Sequence, residues 1–328
     1  MSQPSNILIT GGAGFIGSHL CDRLLAGGAK VTAVDDLSLG RLDNLEEAGK
    51  NPAFTFIRGD ILDPKILESI FSEGKFDSVF HMAANSDIRR GSRETDRDLN
   101  LTFLTTFRVL DAMREYGVGD LVFASSSAIY GEVEEEIDED HGPLQPVSFY
   151  GAAKNAAESY ISAYVHQFDM RAWIYRFPNV VGSRLTHGVV HDFIKQLRAD
   201  PTKLTILGDG EQLKPFLYVD DLIDAMLLAR ERLSEPLNCL NIAADTRTSV
   251  RRIAEIVAEE MGLEGIPFQF TGGSGGWKGD VPRYRYDLAR IKSLGWQPRH
   301  TSDQAIRLAV RETLRSPANL TTNEMITD

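Results

Sequence analysis

The chain has 328 residues, 42% hydrophobic and 25% charged, enough to bury a large core in one large domain or two interleaved ones. A formal net charge of −12 argues against a nucleic-acid partner, because a phosphate backbone selects a basic footprint. Its two cysteines, Cys21 and Cys239, make neither a disulfide framework nor a metal site of recognisable spacing.

The first apolar run, Ile7 to Thr10, leads through glycine-rich Gly11 to Gly17 into amphipathic Ser18 to Leu25, which reads as strand, turn and helix. Gly27-Gly28 ends that helix, and Lys30 to Asp35 is a second strand. Further strands are predicted at Phe54–Ile57, Ser78–His81, Leu121–Ala124 and Arg171–Arg176. Helices are predicted between them, near 64–72, over a long stretch near 95–116, and after Tyr150. Short buried strands separated by helices predict a parallel sheet covered on both faces, a doubly wound α/β domain of Rossmann type over residues 1–180.

Beyond about residue 180 the rhythm changes, and residues 181–316 are expected to form a smaller C-terminal α/β lobe packed over the first domain. Segments near 216–262 are expected to return to the first domain, and polar residues 317–328 to form a tail. No apolar run reaches a membrane-spanning length, and no signal peptide precedes the strand signals at Asn6. The expectation is a cytoplasmic protein with no membrane partner.

Gly12 to Gly17 matches G-x-G-x-x-G between a strand and a helix, where a pyrophosphate needs a tight turn and free helix N–H groups. Gly11, Gly14, Phe15, Ile16 and Gly17 are therefore candidates for holding a dinucleotide. Asp35 ends the next strand, where a carboxylate accepts hydrogen bonds from ribose hydroxyls and repels a 2′-phosphate. That favours NAD over NADP, with Arg41 nearby as the opposing feature. Asp60 and Ile61, after the third strand, are candidates for contacting the adenine. Tyr150 and Lys154 stand one helical turn apart on one face. An ammonium beside a phenol favours the phenolate, so Tyr150 is a candidate base.

Several runs occur in order: Thr10–Gly17 (TGGAGFIG), His81–Ala84 (HMAA), Ser125–Gly131 (SSSAIYG) and Tyr150–Lys154 (YGAAK). Arg176–Gly182 (RFPNVVG), Gly208–Gln212 (GDGEQ) and Tyr218–Asp221 (YVDD) follow. Over roughly residues 6–300 the chain resembles the extended short-chain dehydrogenases/reductases of the nucleotide-sugar epimerase/dehydratase group. The resemblance implies that Tyr150 is the base, that Lys154 is its partner and holds the nicotinamide ribose, and that Ala83 and Ala84 border the cofactor. It implies a third member at Ser126, flanked by Ser125 and Ser127 so that the register can slip by one, and substrate contacts at Ser126, Ser127 and Asn179.

The implied reaction is C4 epimerisation of a UDP-hexose through transient hydride transfer to NAD and a 4-keto sugar. Family dehydratases carry an Asp-Glu pair directly after the catalytic hydroxyl, and decarboxylases of UDP-glucuronate often keep a Glu there. This chain has Ser127-Ala128, which favours simple epimerisation. The alternatives are a UDP-glucuronate 4-epimerase, a keto-sugar reductase, a decarboxylase or dehydratase, and a silent NAD-binding regulator. On the side expected to hold the diphosphate the chain departs from the family: Lys214-Pro215 replaces Arg-Asp, and Trp277-Lys278-Gly279-Asp280 replaces an Arg before Gly-Asp. Thr102 stands where Asn is frequent. Lys214 and Trp277 are the substrate candidates there, with Arg89, Arg90 and Arg283 as compensating charges. The family often dimerises through two helices, here those carrying Leu99, Phe103, Leu110, Met113, Ile161 and Tyr164, so a homodimer is expected.

Overall fold

The computed structural model describes residues 5–277 and 279–315, so the tail at 317–328 and Lys278 lie outside the described residues. Strands β1 (Asn6–Thr10), β2 (Lys30–Asp35), β3 (Phe54–Arg58), β4 (Ser78–His81), β5 (Asp120–Ser126) and β6 (Arg171–Phe177) join the strand Leu237–Asn241 in one sheet. Every pairing in it is parallel. The order is Leu237–Asn241, β6, β5, β4, β1, β2, β3, so the chain reverses direction of growth between β1 and β4. A doubly wound sheet opens its ligand crevice at that switch point, beyond the C-terminal strand ends. Thr10 is in register with His81, and Ser126 with Phe177, which brings the ends of the central strands to one edge.

Local signals start and stop the helices α1 (Phe15–Ala26), α2 (Pro64–Gly74), the short α3 (Ile88–Gly91), α4 (Thr105–Tyr116) and α5 (Phe149–Phe168). Asp63 caps α2 by accepting from Lys65 N at 3.0 Å, with Pro64 in the first turn. Ser148 caps α5 through Gly151 N at 3.1 Å. Gly117, at φ 71°, closes α4. Leu8, Val79, Leu121 and Phe123 of the sheet pack with Leu110 and Met113 of α4 and Ile161 and Val165 of α5. Each such side chain stabilises the fold by about 1.5–3 kcal/mol.

The long helix expected near 95–116 is divided: Leu99–Leu104 is a π-helical turn ahead of α4. Thr105 and Thr106 hydroxyls donate to the carbonyls of Leu101 and Thr102 at 2.9 and 2.7 Å, competing with regular backbone pairing. Among the apolar residues read as an interface stripe, Leu110, Met113 and Ile161 lie in the core against the sheet. Leu99 remains 50% exposed.

The chain divides into two compact units, the first formed by Met1–Pro178, Leu222–Ile242 and Arg285–Gln297. The returning pieces have clear reasons: Leu237–Asn241 pairs with β6, and Arg285 and Asp287 bracket Ile137 through backbone bonds of 2.9 Å each. The second unit has small two-stranded sheets, pairing Asn179–Val181 with Phe216–Tyr218, Leu204–Ile206 with Phe268–Phe270, and Leu213–Lys214 with Thr248–Ser249. Its core gathers Phe193, Ile194, Leu204, Ile253, Val257 and Ile306.

Candidate active site

The glycine turn after β1 is a cradle that side chains would fill. Gly11 has φ +67°, and a Cβ there would lie 2.7 Å from Ala83 N; one on Gly17 would lie 2.1 Å from Gly11 O. The N-terminus of α1 follows at Phe15, with Ile16 and Gly17 in its first turn. Asp35 is fixed at the end of β2, accepting from Leu37 N at 2.8 Å and Ala13 N at 3.1 Å. Burial holds its carboxyl above the usual range, and those backbone bonds oppose the rise. Asp60 is exposed and shapes its own turn by accepting from Leu62 N at 2.8 Å, while Ile61 is buried. Ala83 N donates to Thr10 Oγ1 at 3.3 Å, which ties the segment after β4 to β1.

The three serines at the end of β5 separate by their partners. Ser125 donates to Glu158 of α5. Ser126 accepts from Ala128 N at 3.2 Å, and its hydroxyl hydrogen-bonds the Tyr150 phenol. Ser127 is buried in the turn that follows. Lys154, 2% exposed, donates to Ala124 O at 2.6 Å, with its ammonium 4.5 Å above the Phe123 ring and 5.8 Å from the Tyr150 ring centre.

Electrostatically the pair differs from the sequence expectation. Burial pushes the Tyr150 phenol up to about 12, opposed by the Ser126 hydrogen bond and reinforced by the Asp98 charge. Burial pulls Lys154 down to about 7, against the attraction of Glu158 and Asp98. Proximity of Lys154 does not acidify Tyr150 in the chain by itself, because desolvation moves both groups toward neutrality.

Sequence reasoning missed the polar frame behind the pair. Glu158 sits one turn past Lys154 and pairs with Arg176, which also donates to Tyr130 OH at 3.0 Å and Glu139 O at 2.9 Å. Tyr130 OH donates to Asn241 Oδ1 at 2.7 Å. The helical spacing of Lys154 and Glu158 was the available signal; their partners come from distant strands.

In the second unit, Lys214 pairs with Asp280, and its ammonium lies 5.3 Å from the centre of the Trp277 ring. Gly276 N donates to Asp280 Oδ2 at 2.9 Å, so Lys214, Trp277 and Asp280 form one cluster. Asn179 is exposed at the start of its own short strand, in register with Phe216 and on a different two-stranded sheet from Lys214. Arg283 bridges Leu213 through backbone, and in the first unit Arg90 pairs with the exposed Glu94 at 2.8 Å. Among the described residues no group of three or more His, Cys, Asp and Glu is placed to hold a metal. No helix among them is long and apolar enough to cross a membrane.

The geometry is that of a dinucleotide cradle beside a Ser–Tyr–Lys cluster, and a family model described as the NAD dependent epimerase/dehydratase family matches residues 7–243. The chain belongs to that family. To a UDP-glucose 4-epimerase of Mycolicibacterium smegmatis it is 34% identical over 297 residues, covering 89% of this chain and 93% of the relative. A solved UDP-galactose 4-epimerase superposes with a TM-score of 0.84 at 37% identity, over 94% of this chain and 98% of that one. A Thermus thermophilus UDP-glucose 4-epimerase in complex with NAD gives 0.83 at 31% identity, over 93% and 98%. As in the family, NAD is the cofactor, and the residues present fit it: the glycines leave room for a pyrophosphate, and the Asp35 carboxylate stands where a ribose would meet it.

Proposed function

We propose that the protein is a nucleotide-sugar 4-epimerase acting on a UDP-hexose. The observation that carries this reading is the Ser126–Tyr150–Lys154 cluster followed by Ser127-Ala128, which puts no titratable side chain directly after Ser126. Elimination of water needs an added acid and base, and inversion at one carbon needs neither.

In this reading Tyr150 takes the proton from the sugar's C4 hydroxyl and returns it after inversion. Ser126 hydrogen-bonds the same oxygen as it becomes a carbonyl. Lys154 holds the nicotinamide ribose and stabilises the phenolate. Bound NAD supplies a hydride acceptor, and then a donor, for C4. Gly11, Gly14, Phe15, Ile16, Gly17, Ala83 and Ala84 line the cofactor, with Asp35, Asp60 and Ile61 on its adenosine half. Asn179, Ser127, Lys214 and Trp277 are assigned to the sugar nucleotide. Orientation contributes much of the acceleration, since proton and hydride transfers are both directional.

Burial around Tyr150 also bears on the cost of the base. With the phenol pushed up to about 12 by burial, Lys154 alone does not make Tyr150 a phenolate in the chain by itself. The test incubates the protein with UDP-, GDP- and dTDP-sugars and follows C4-inverted product without net NADH. Release of water or carbon dioxide, or stoichiometric consumption of NADH, overturns the reading in favour of another reaction. A homodimer through the π-helical turn, α4 and α5 is part of the proposal, supported by half-exposed Leu99 and by Tyr160, 45% exposed. Light scattering that finds only monomer at micromolar concentration removes it.

A further inference from the structure

Between β4 and α4 lies a buried polar layer that the proposed chemistry does not use. Asp98, 1% exposed, accepts from Asn85 Nδ2 at 2.9 Å through Oδ1. Asn85 is itself held on every side: its N donates to Thr102 Oγ1 at 3.2 Å, its Oδ1 accepts from Arg97 Nε at 3.1 Å, and its Nδ2 reaches Asp87 O at 3.0 Å. Asn85 directly follows Ala83 and Ala84, so this layer fixes the segment assigned to the cofactor. The second Asp98 oxygen, Oδ2, is buried with no hydrogen-bond partner among the described residues. Gly91 makes room for it, since a Cβ there would lie 2.0 Å away. Asp98 immediately precedes the π-helical turn, which packs on α5, the helix of Tyr150 and Lys154.

Three charged or titratable groups bear on Lys154: Glu158, Asp98 and His81. Glu158 is neutralised by Arg176 and accepts from Ser125. His81 is kept neutral by burial and by the Lys154 charge, so it brings no charge of its own to Lys154. Around Asp98 stand Arg97, Lys154 and Asp87, and Arg97 pairs with Glu94 at 3.2 Å. Of the Glu158 and Asp98 carboxylates, Asp98 is the one with a buried oxygen that has no hydrogen-bond partner among the described residues, and the turn it opens packs on the helix of Lys154. We propose that Asp98 is a positioning residue for the Tyr150–Lys154 pair: fixed by Asn85, given room by Gly91 and placed at the start of the turn that packs on α5, it is, beside Glu158, a counter-charge that keeps Lys154 an ammonium. This rests on the assignment of Tyr150 as base and Lys154 as its partner.

The test is an NMR titration of lysine labelled at Cε in the full chain, with no sugar nucleotide present. The Lys154 signal is identified by its loss in Lys154→Met. Asp98→Asn, which keeps the shape and removes the charge, moves the Lys154 midpoint to lower pH by about one unit, a tenfold change in the protonation equilibrium. An unmoved midpoint overturns the proposal. In turnover, both limbs of the pH profile move to lower pH in Asp98→Asn, because losing a negative neighbour makes Tyr150 and Lys154 more acidic. A purely structural Asp98 lowers kcat and leaves the profile in place, which also overturns it. If Asp98→Asn does not fold, the wild type decides: the Lys154 signal must respond at the pH where the Asp98 carboxyl titrates, and independence of the two overturns the proposal. Because the titration needs no substrate, a failed sugar panel leaves it standing, and an unmoved Lys154 leaves the epimerase reading standing.

Discussion

Glu158 Oε2 accepts from Arg176 Nη2 at 2.6 Å, and both side chains are buried behind the helical turn that carries Lys154. The pair closes a frame that includes Ser125, Tyr130 and Asn241, so β5, β6, α5 and the strand Leu237–Asn241 share one polar centre. Removing one partner leaves an unpaired buried charge. Glu158→Gln is expected to cost about 3–5 kcal/mol in urea unfolding. Adding Arg176→Met should recover part of that loss, because the stranded charge is then gone. Equal losses in the single and double variants would falsify the pairing as the source.

The glycine cradle makes a prediction about NAD that is independent of the substrate. Gly17→Ala places a Cβ 2.1 Å from the carbonyl of Gly11, and backbone must shift to admit it. NAD affinity measured by calorimetry should fall at least about tenfold, roughly 1.4 kcal/mol. Gly49→Ala, with nothing within 4 Å of its new Cβ, is the control and should bind NAD as the wild type does.

Tyr150→Phe tests the assigned base. The variant keeps the ring that packs beside Lys154 and loses the hydroxyl that meets Ser126. Turnover should drop by about 10²–10⁴ with NAD binding retained. Near-normal turnover rules Tyr150 out as the base.

His81 predicts acid sensitivity. Thr106 Oγ1 donates to Thr102 O, so the ring donates to Thr106 from Nε2 and accepts from Thr10 at Nδ1, at 3.0 and 2.6 Å. Burial, and then the Lys154 charge, push the ring down to about 3, so it stays neutral in the fold. The unfolded chain takes up a proton there below about 6.5, and the folded chain does not until about 3. This contribution to stability is present above 6.5 and is lost as pH falls toward 3, reaching about 2 kcal/mol by pH 5. Unfolding free energies at pH 7 and pH 5 should therefore differ more in the wild type than in His81→Gln. An identical pH slope in both would remove His81 as the cause.

Much of the candidate site rests on local signals. The G-x-G-x-x-G turn announces itself through glycines that sit where a Cβ would collide, and Asp35 through its place at a strand end. The helix expected after Tyr150 is α5, and the Tyr150–Lys154 face reads from spacing alone. The division of the long helix at Leu99–Leu104 was not legible, because threonine hydroxyls there redirect carbonyls that apolar periodicity does not register. The interface stripe was misread in part for the same reason: periodicity marks an apolar face without saying whether a sheet already covers it.

The sequence by itself determined the order of strands and helices, the dinucleotide turn and the Tyr–Lys face, all of which depend on backbone preferences over a few residues. Tertiary structure decided which of three adjacent serines meets Tyr150, since Ser125 is occupied by Glu158 and Ser127 is buried in its turn. It also decided the electrostatics. Desolvation depends on everything that surrounds a group, and it overrides the pairwise attraction that spacing suggested for Tyr150 and Lys154. The buried Asp98 lies more than fifty residues upstream of that pair, and the turn that follows it packs on α5 only in the folded chain.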